Sequence, residues 1–196
     1  MKTLTATASD FEDDEGDALM RRAAADDRDA FAGIIGVYQK RVIGFAARMS
    51  GGDTDAAQDI AQETFLRLWQ NRRAYRPQGS LLSFLLHIAH NLCRDEHRRA
   101  ASRPSEPLYE CVAGAGPTQF PADSPDDALR TAAMTQAVAA AVAELPEAQR
   151  SVFVLSHYEA VPYREIALIL DCPIGTVASR KYLAVEALRR RLKDWI

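Results

Sequence analysis

Between Pro162 and Leu192 the chain reads PYREIALILDCPIGTVASRKYLAVEALRRRL, and few local structures accommodate that string. Tyr163 to Leu170 sets Ile166, Ala167, Ile169 and Leu170 at helical spacing. Asp171-Cys172-Pro173 then interrupts the run, because proline lacks an N–H and its ring collides with the preceding turn. A second helix restarts near Ile174 or Gly175, with Thr176 available to satisfy backbone donors of the first turn. It continues through Val177, Leu183, Val185, Leu188 and Leu192. Short helix, abrupt turn, longer helix is a helix-turn-helix. The second helix carries Ser179, Arg180 and Lys181 early and Arg189, Arg190, Arg191 and Lys193 late, away from its apolar positions. Such side chains can reach base edges and phosphates in a major groove. An amphipathic helix closing a helical bundle would be dressed in much the same way, so these residues alone leave both uses open.

The rest of the chain supplies the context. Its 196 residues suit one or two domains, and 47% hydrophobic with 26% charged residues describes a globular protein. No apolar run approaches the roughly 18 to 20 residues of a membrane span. The opening MKTLTATASDFEDDEGD lacks the apolar segment of a secretion signal, which predicts a cytoplasmic protein. Cys93, Cys111 and Cys172 are odd in number and without finger-like spacing, so no disulfide framework is expected. A net charge of -3 conceals an asymmetry: Asp10, Glu12, Asp13, Asp14, Glu15 and Asp17 crowd the start, whereas basic residues gather over 94–103 and 180–193. Residues 1–18 read as a disordered acidic tail, which could also cover a basic surface of its own chain.

Residues 19–101 read as a helical domain. A short helix over Ala18 to Ala25 precedes a long one over Arg28 to Met49, with Phe31, Ile34, Ile35, Tyr38, Val42 and Phe45 on one stripe, ended by Ser50-Gly51-Gly52. A third helix, capped by Asp53 or Thr54, buries Ile60, Phe65 and Leu68 and projects Asp59, Gln62 and Glu63, a patch that could equally be plain solvated surface. A fourth, from Ser80 to about Arg99, sets Leu81, Leu85, Ile88, Ala89 and Leu92 on one side. His87, His90, Arg94, His97 and Arg98 gather on the other, with Asn91 at the edge. That front suits a phosphate backbone, and Tyr75 in the preceding loop could stack on an unpaired base. His87, His90, Cys93 and His97 also have helical spacing, but one straight helix cannot surround a metal ion, so no metal or cofactor is expected. Residues 102–127, with five prolines, read as a linker, and residues 128–196 as a second helical domain. The fold class expected is all-α, two small domains on a flexible tether. Without a phosphate loop, a nucleophile elbow or a catalytic cluster, no enzyme is expected.

LPEAQRSVFVLSHYEAVPYREIALILDCPIGTVASRKYLAVEALRRRL resembles the fourth region of bacterial RNA polymerase sigma factors of the extracytoplasmic-function group. DAAQDIAQETFLRLW and SLLSFLLHIAHNLCRDEHRR resemble parts of that group's second region, in the right order and at the right separation. The likeness implies a promoter-specificity subunit whose partners are core RNA polymerase, promoter DNA and an anti-sigma factor. It assigns polymerase docking to Asp59, Gln62, Glu63 and Leu66. The minus-ten element, opened and trapped as a flipped base, falls to Tyr75, His87, His90, Asn91, Arg94 and Arg98. The minus-thirty-five element, read as duplex, falls to Thr176, Ser179, Arg180 and Lys181. The chain departs from the group's usual residues at Phe84, His87, His90 and Ala178. The two histidines predict that promoter binding strengthens as pH falls from about 8 to 6, as the imidazoles charge. A stand-alone operator-binding regulator would instead bind duplex tightly without polymerase, and a sigma mimic that titrates an inhibitor would lack transcription activity.

Overall fold

Two acidic caps and a glycine stop delimit the helices on which the first lobe is built. The computed structural model describes residues 8–76, 79–101 and 125–195. Asp27 accepts the Ala30 N–H at 3.0 Å and starts α2 (Arg28–Met49); Asp53 accepts from Asp55 and Ala56 and starts α3 (Thr54–Gln70). Between them Gly51 and Gly52 take φ of 68° and 99°, a conformation that favours glycine, and the Gly52 N–H closes α2 on the Ala47 carbonyl at 2.8 Å. α4 (Leu81–Ala101) begins behind Ser80, whose hydroxyl accepts the Ser83 N–H at 3.1 Å. α2 is the central element, packed by α1, α3 and α4 around Ile34, Tyr38, Phe45, Leu68, Leu81 and Leu85.

The first helix corrects the expected boundary. α1 (Ala8–Ala24) begins ten residues before Ala18, so residues 8–17, assigned to a disordered tail over 1–18, are helical; residues 1–7 lie outside the described residues. Gly16 brings α1 close to α2, because a Cβ there would strike the buried Tyr38 hydroxyl. Asp17 accepts a hydrogen bond from the Tyr75 hydroxyl at 3.3 Å.

The second lobe holds α5 (Pro125–Ala143), α6 (Glu147–Phe153), a π-helical turn (Val154–Tyr158), α7 (Tyr163–Ile169), α8 (Ile174–Arg191) and a 3-10 turn (Lys193–Trp195). Leu145, Val152, Leu155, Ile166, Val177 and Ala184 are its buried centre. The helix-turn-helix has the expected form: Asp171 takes φ 46°, and the Cys172 N–H returns to the Ala167 carbonyl at 3.0 Å. Thr176, however, caps nothing. Pro173 holds the N-cap position with no side-chain bond, and Thr176 sits inside the first turn, where its carbonyl accepts from the Ser179 hydroxyl at 3.1 Å.

All regular structure among the described residues is helical. Sequence reading set the two lobes apart on a tether; here they pack into one continuous apolar core, with α4 against α7 and α2 against α5, α6 and the π turn. Residues 102–124 of the expected linker lie outside the described residues, while 125–127 open α5.

Candidate functional site

Three surfaces collect the residues singled out by the sequence. The first is a groove of about 790 Å³ between α2 and α3, floored by Phe31, Ile35, Ile43, Phe65 and Trp69. Phe31 and Trp69 pack ring against ring at 4.9 Å, and the Arg72 guanidinium lies 4.0 Å above the Trp69 ring. Leu66 stands at the rim, 54% exposed, with Asp59 and Gln62 exposed beside it. Glu63 is held by Arg67 at 2.8 Å one turn on. The sequence placed Phe31 and Ile35 on the core stripe of α2; they are half-buried and line the groove, extending the patch with residues that reading had not assigned to it.

The second surface is the loop before α4 and one face of α4. Asp26 carries φ 67° and is bonded by Arg72 and Arg73, which ties the α1–α2 turn to the end of α3 and holds the Asp26 carboxyl below its usual range. Tyr75 follows, edge-on to Phe84 at 5.0 Å. Tyr75, Phe84, His87 and Asn71 form one wall of a cleft of about 520 Å³, and Glu165, Leu168 and Ile169 of α7 form the other. His87 is exposed and Asn91 half-buried. Arg94 is exposed, with Nε 3.9 Å from Glu147 Oε1, and Arg98 is exposed and bonded to Asp95.

His90 departs from the expected basic front. It is 5% exposed, faces α6, and its Nε2 lies 3.3 Å from the Ser151 hydroxyl. Burial, reinforced by Arg94 and His87, pushes its pKa down from 6.5 to about 4, so the ring is neutral at physiological pH. His97 also turns inward, its Nε2 3.1 Å from the Met49 carbonyl. Cys93 is buried and its thiol is pushed up to about 12 by desolvation. The four residues of the metal idea therefore point into different surroundings, and no group of three metal-ligating side chains occurs among the described residues.

On the third surface, α8 buries Val177, Ala184 and Leu188 and turns its other faces outward. Ser179 is exposed; Thr176, Arg180 and Lys181 are half-buried at the same end of the helix. Lys181 Nζ lies 5.9 Å from the Tyr163 ring, and partial burial lowers its pKa.

Comparison with known proteins follows the same division. The family model described as Sigma-70 region 2 matches residues 34–103, and that described as Sigma-70, region 4 matches residues 135–188. The chain is 34% identical to the ECF RNA polymerase sigma factor SigW of Bacillus subtilis, over 86% of this chain and 91% of that protein. It is 28% identical to the RNA polymerase sigma-H factor of Pseudomonas aeruginosa, over 89% and 92%. The fold is shared with the sigma factor RpoE in its crystals with the anti-sigma factor NepR from Bartonella quintana. There the TM-score is 0.67 at 22% identity, covering 83% of this chain and 96% of that one. It is shared also with CnrH in complex with the cytosolic domain of CnrY, with a TM-score of 0.66 at 23% identity over 92% and 99%.

Proposed function

The chain belongs to the extracytoplasmic-function RNA polymerase sigma factors, and from that membership we propose how its surfaces share the work of starting transcription. A sigma factor is a dissociable subunit: it binds core RNA polymerase, directs it to specific promoters and helps open the DNA. Core polymerase and promoter DNA are its partners, and an anti-sigma factor is the expected regulator. No helix among the described residues is long and apolar enough to cross a membrane, and the place of action is the cytoplasm, beside the polymerase.

On this reading the α2–α3 groove, with Asp59, Gln62, Glu63 and Leu66 at its rim, receives the polymerase. An apolar trough with a polar rim suits an amphipathic helical element, and Leu66 is its anchor. Tyr75, His87, Asn91, Arg94 and Arg98 take the minus-ten strand, with His90, buried against α6, behind them. Stacking contributes about 1–3 kcal/mol per base, enough to offset the few kcal/mol needed to unstack it, so melting requires no catalytic chemistry. Thr176, Ser179, Arg180 and Lys181 read the minus-thirty-five element as duplex. Residues 19–101 and 128–196 are the two working domains and 102–127 their linker, with α1 extending the first domain back to residue 8.

The observation that supports this reading is the open α2–α3 groove, whose lining from Ile35 to Trp69 falls in the stretch matched by region 2. Run-off transcription with purified core polymerase on a genomic fragment library tests it. The wild-type chain is expected to produce discrete starts and a Leu66→Asp variant none; a wild-type chain that confers no initiation on any fragment overturns the proposal.

A further inference from the structure

The outward face of α8 carries two large apolar side chains that the fold does not use. The sequence counts Leu183 among the apolar positions of this helix, but Leu183 is 50% exposed and its neighbour Tyr182 66%, while Val177, Ala184 and Leu188 are buried. At about 100° per residue, those three buried positions fix an inward direction, and Ser179, Tyr182, Leu183 and Glu186 all lie within about 60° of its opposite. Ser179 and Glu186 each stand three and four residues from Tyr182 and Leu183, so the four side chains form one contiguous crest.

Over the first three turns, the part of a recognition helix that meets base edges, the basic residues stand on the flanks of this crest. Lys181 leans on α7, its Nζ 5.9 Å from the Tyr163 ring, and Arg180 is half-buried on the other flank. Ser179 donates its hydroxyl proton to the Thr176 carbonyl at 3.1 Å, which leaves its oxygen as an acceptor. Glu186, farther along, is paired with Arg189 at 3.2 Å. Cations on the flanks of a helix seated in a groove reach phosphates, which carry no sequence information; the crest faces the base edges. In these turns the crest offers a serine acceptor, a leucine and a phenol, and no guanidinium that could pair with guanine. Among the base groups of the major groove, the one that takes an apolar partner is the C5 methyl of thymine.

We propose that Tyr182 and Leu183 determine specificity for the minus-thirty-five element by packing on thymine methyls in the major groove, so that A·T pairs occupy the positions they face. This rests on the reading of α8 as the minus-thirty-five face, and it names the base chemistry which that face selects.

The test uses holoenzyme assembled from the full chain and core polymerase, on a promoter recovered by run-off and made in two forms. One is natural. The other has deoxyuridine in place of every thymine of the minus-thirty-five element, which removes the C5 methyls and keeps the base pairing. Competition binding is expected to show affinity about fourfold weaker for each methyl that the two side chains bury. Leu183→Ala and Tyr182→Ala, at exposed positions, are expected to bind the natural promoter more weakly and to distinguish the two forms less than wild type does. Leu183→Arg is expected to recover from the fragment library promoters with guanine at a minus-thirty-five position where wild type takes an A·T pair. Wild-type holoenzyme that binds the two forms equally overturns the proposal. So does a Leu183→Ala chain whose core-polymerase affinity falls while its thymine discrimination is unchanged, a result that would give the crest to the polymerase. Failure of the wild-type chain to direct initiation from any fragment would instead overturn the assignment of function.

Discussion

Leu66 keeps 54% of its surface in water while Ile60, Phe65 and Leu68 on the same helix are buried, so its side chain adds little to folding and is available to a partner. Leu66→Ala is accordingly expected to leave the unfolding free energy within about 0.5 kcal/mol of wild type. The same change should weaken core-polymerase affinity about tenfold, roughly 1.4 kcal/mol, as for an interface anchor. Thermal unfolding beside a binding titration separates the two, and a lowered Tm with intact binding would make Leu66 a structural residue. Thr176 gives the converse lesson. Its oxygen caps no helix, so Thr176→Ala should also stay within about 0.5 kcal/mol of wild-type stability, whereas loss of a true cap typically costs about 1 kcal/mol. A chemical denaturation midpoint that drops by the larger amount would restore the capping role. What the sequence could not reveal at this scale is direction: Phe31 and Ile35 share the stripe of Ile34 and Tyr38, and only the placement of α3 turns them toward a groove.

Helix limits were legible wherever a local chemical signal marked them. α2 runs from Arg28 to Met49 as expected because Asp27 caps it and Gly51 and Gly52 end it, and α7 ends just before, and α8 starts just after, the break at Asp171-Cys172-Pro173. Elements whose character depends on distant partners were not. α4 looks one-sided in sequence, yet α7 packs on it and Ser151 of α6, 61 residues along the chain, meets His90, so His90 is a buried neutral ring while His87, Arg94 and Arg98 of the same front stay exposed. The acidic run that opens α1 reads as a solvated tail in sequence because composition alone does not register docking. Gly16 supplies a test of that docking. Alanine is the better helix former by about 1 kcal/mol, so on a frayed segment Gly16→Ala would be neutral or stabilising. Against the buried Tyr38 hydroxyl and Leu81, the added methyl must instead displace packed groups, and overpacking costs about 1–3 kcal/mol. A lower Tm for Gly16→Ala is therefore expected; an unchanged or higher one would detach α1 from the core.

The molecule as a whole couples lobe closure to pH through two groups of opposite sign. His90 has a pKa of about 4 in the closed arrangement, against an ordinary 6.5 when solvated. Its contribution to closure is therefore fully present above about pH 6.5 and is lost as pH falls toward 4, amounting at most to about 3 kcal/mol. Its charged neighbours are His87 and Arg94 on α4 and, across the seam on α6, Glu147, which Arg94 approaches at 3.9 Å. Glu159 works the other way: burial raises its pKa despite Arg41 and Arg48, so the closed form takes up a proton more readily than the open one, and acid favours closure through this group. Because Glu159 starts from an ordinary carboxylate value of 4.5, the His90 effect leads as pH drops from neutrality. Scattering is expected to report opening as pH falls below about 6.5. The opening should vanish in His90→Gln and steepen in Glu159→Gln, where the opposing proton uptake is gone. If His90→Gln opens over the same range as wild type, the acid response belongs to another group and the seam is not sensed through this ring.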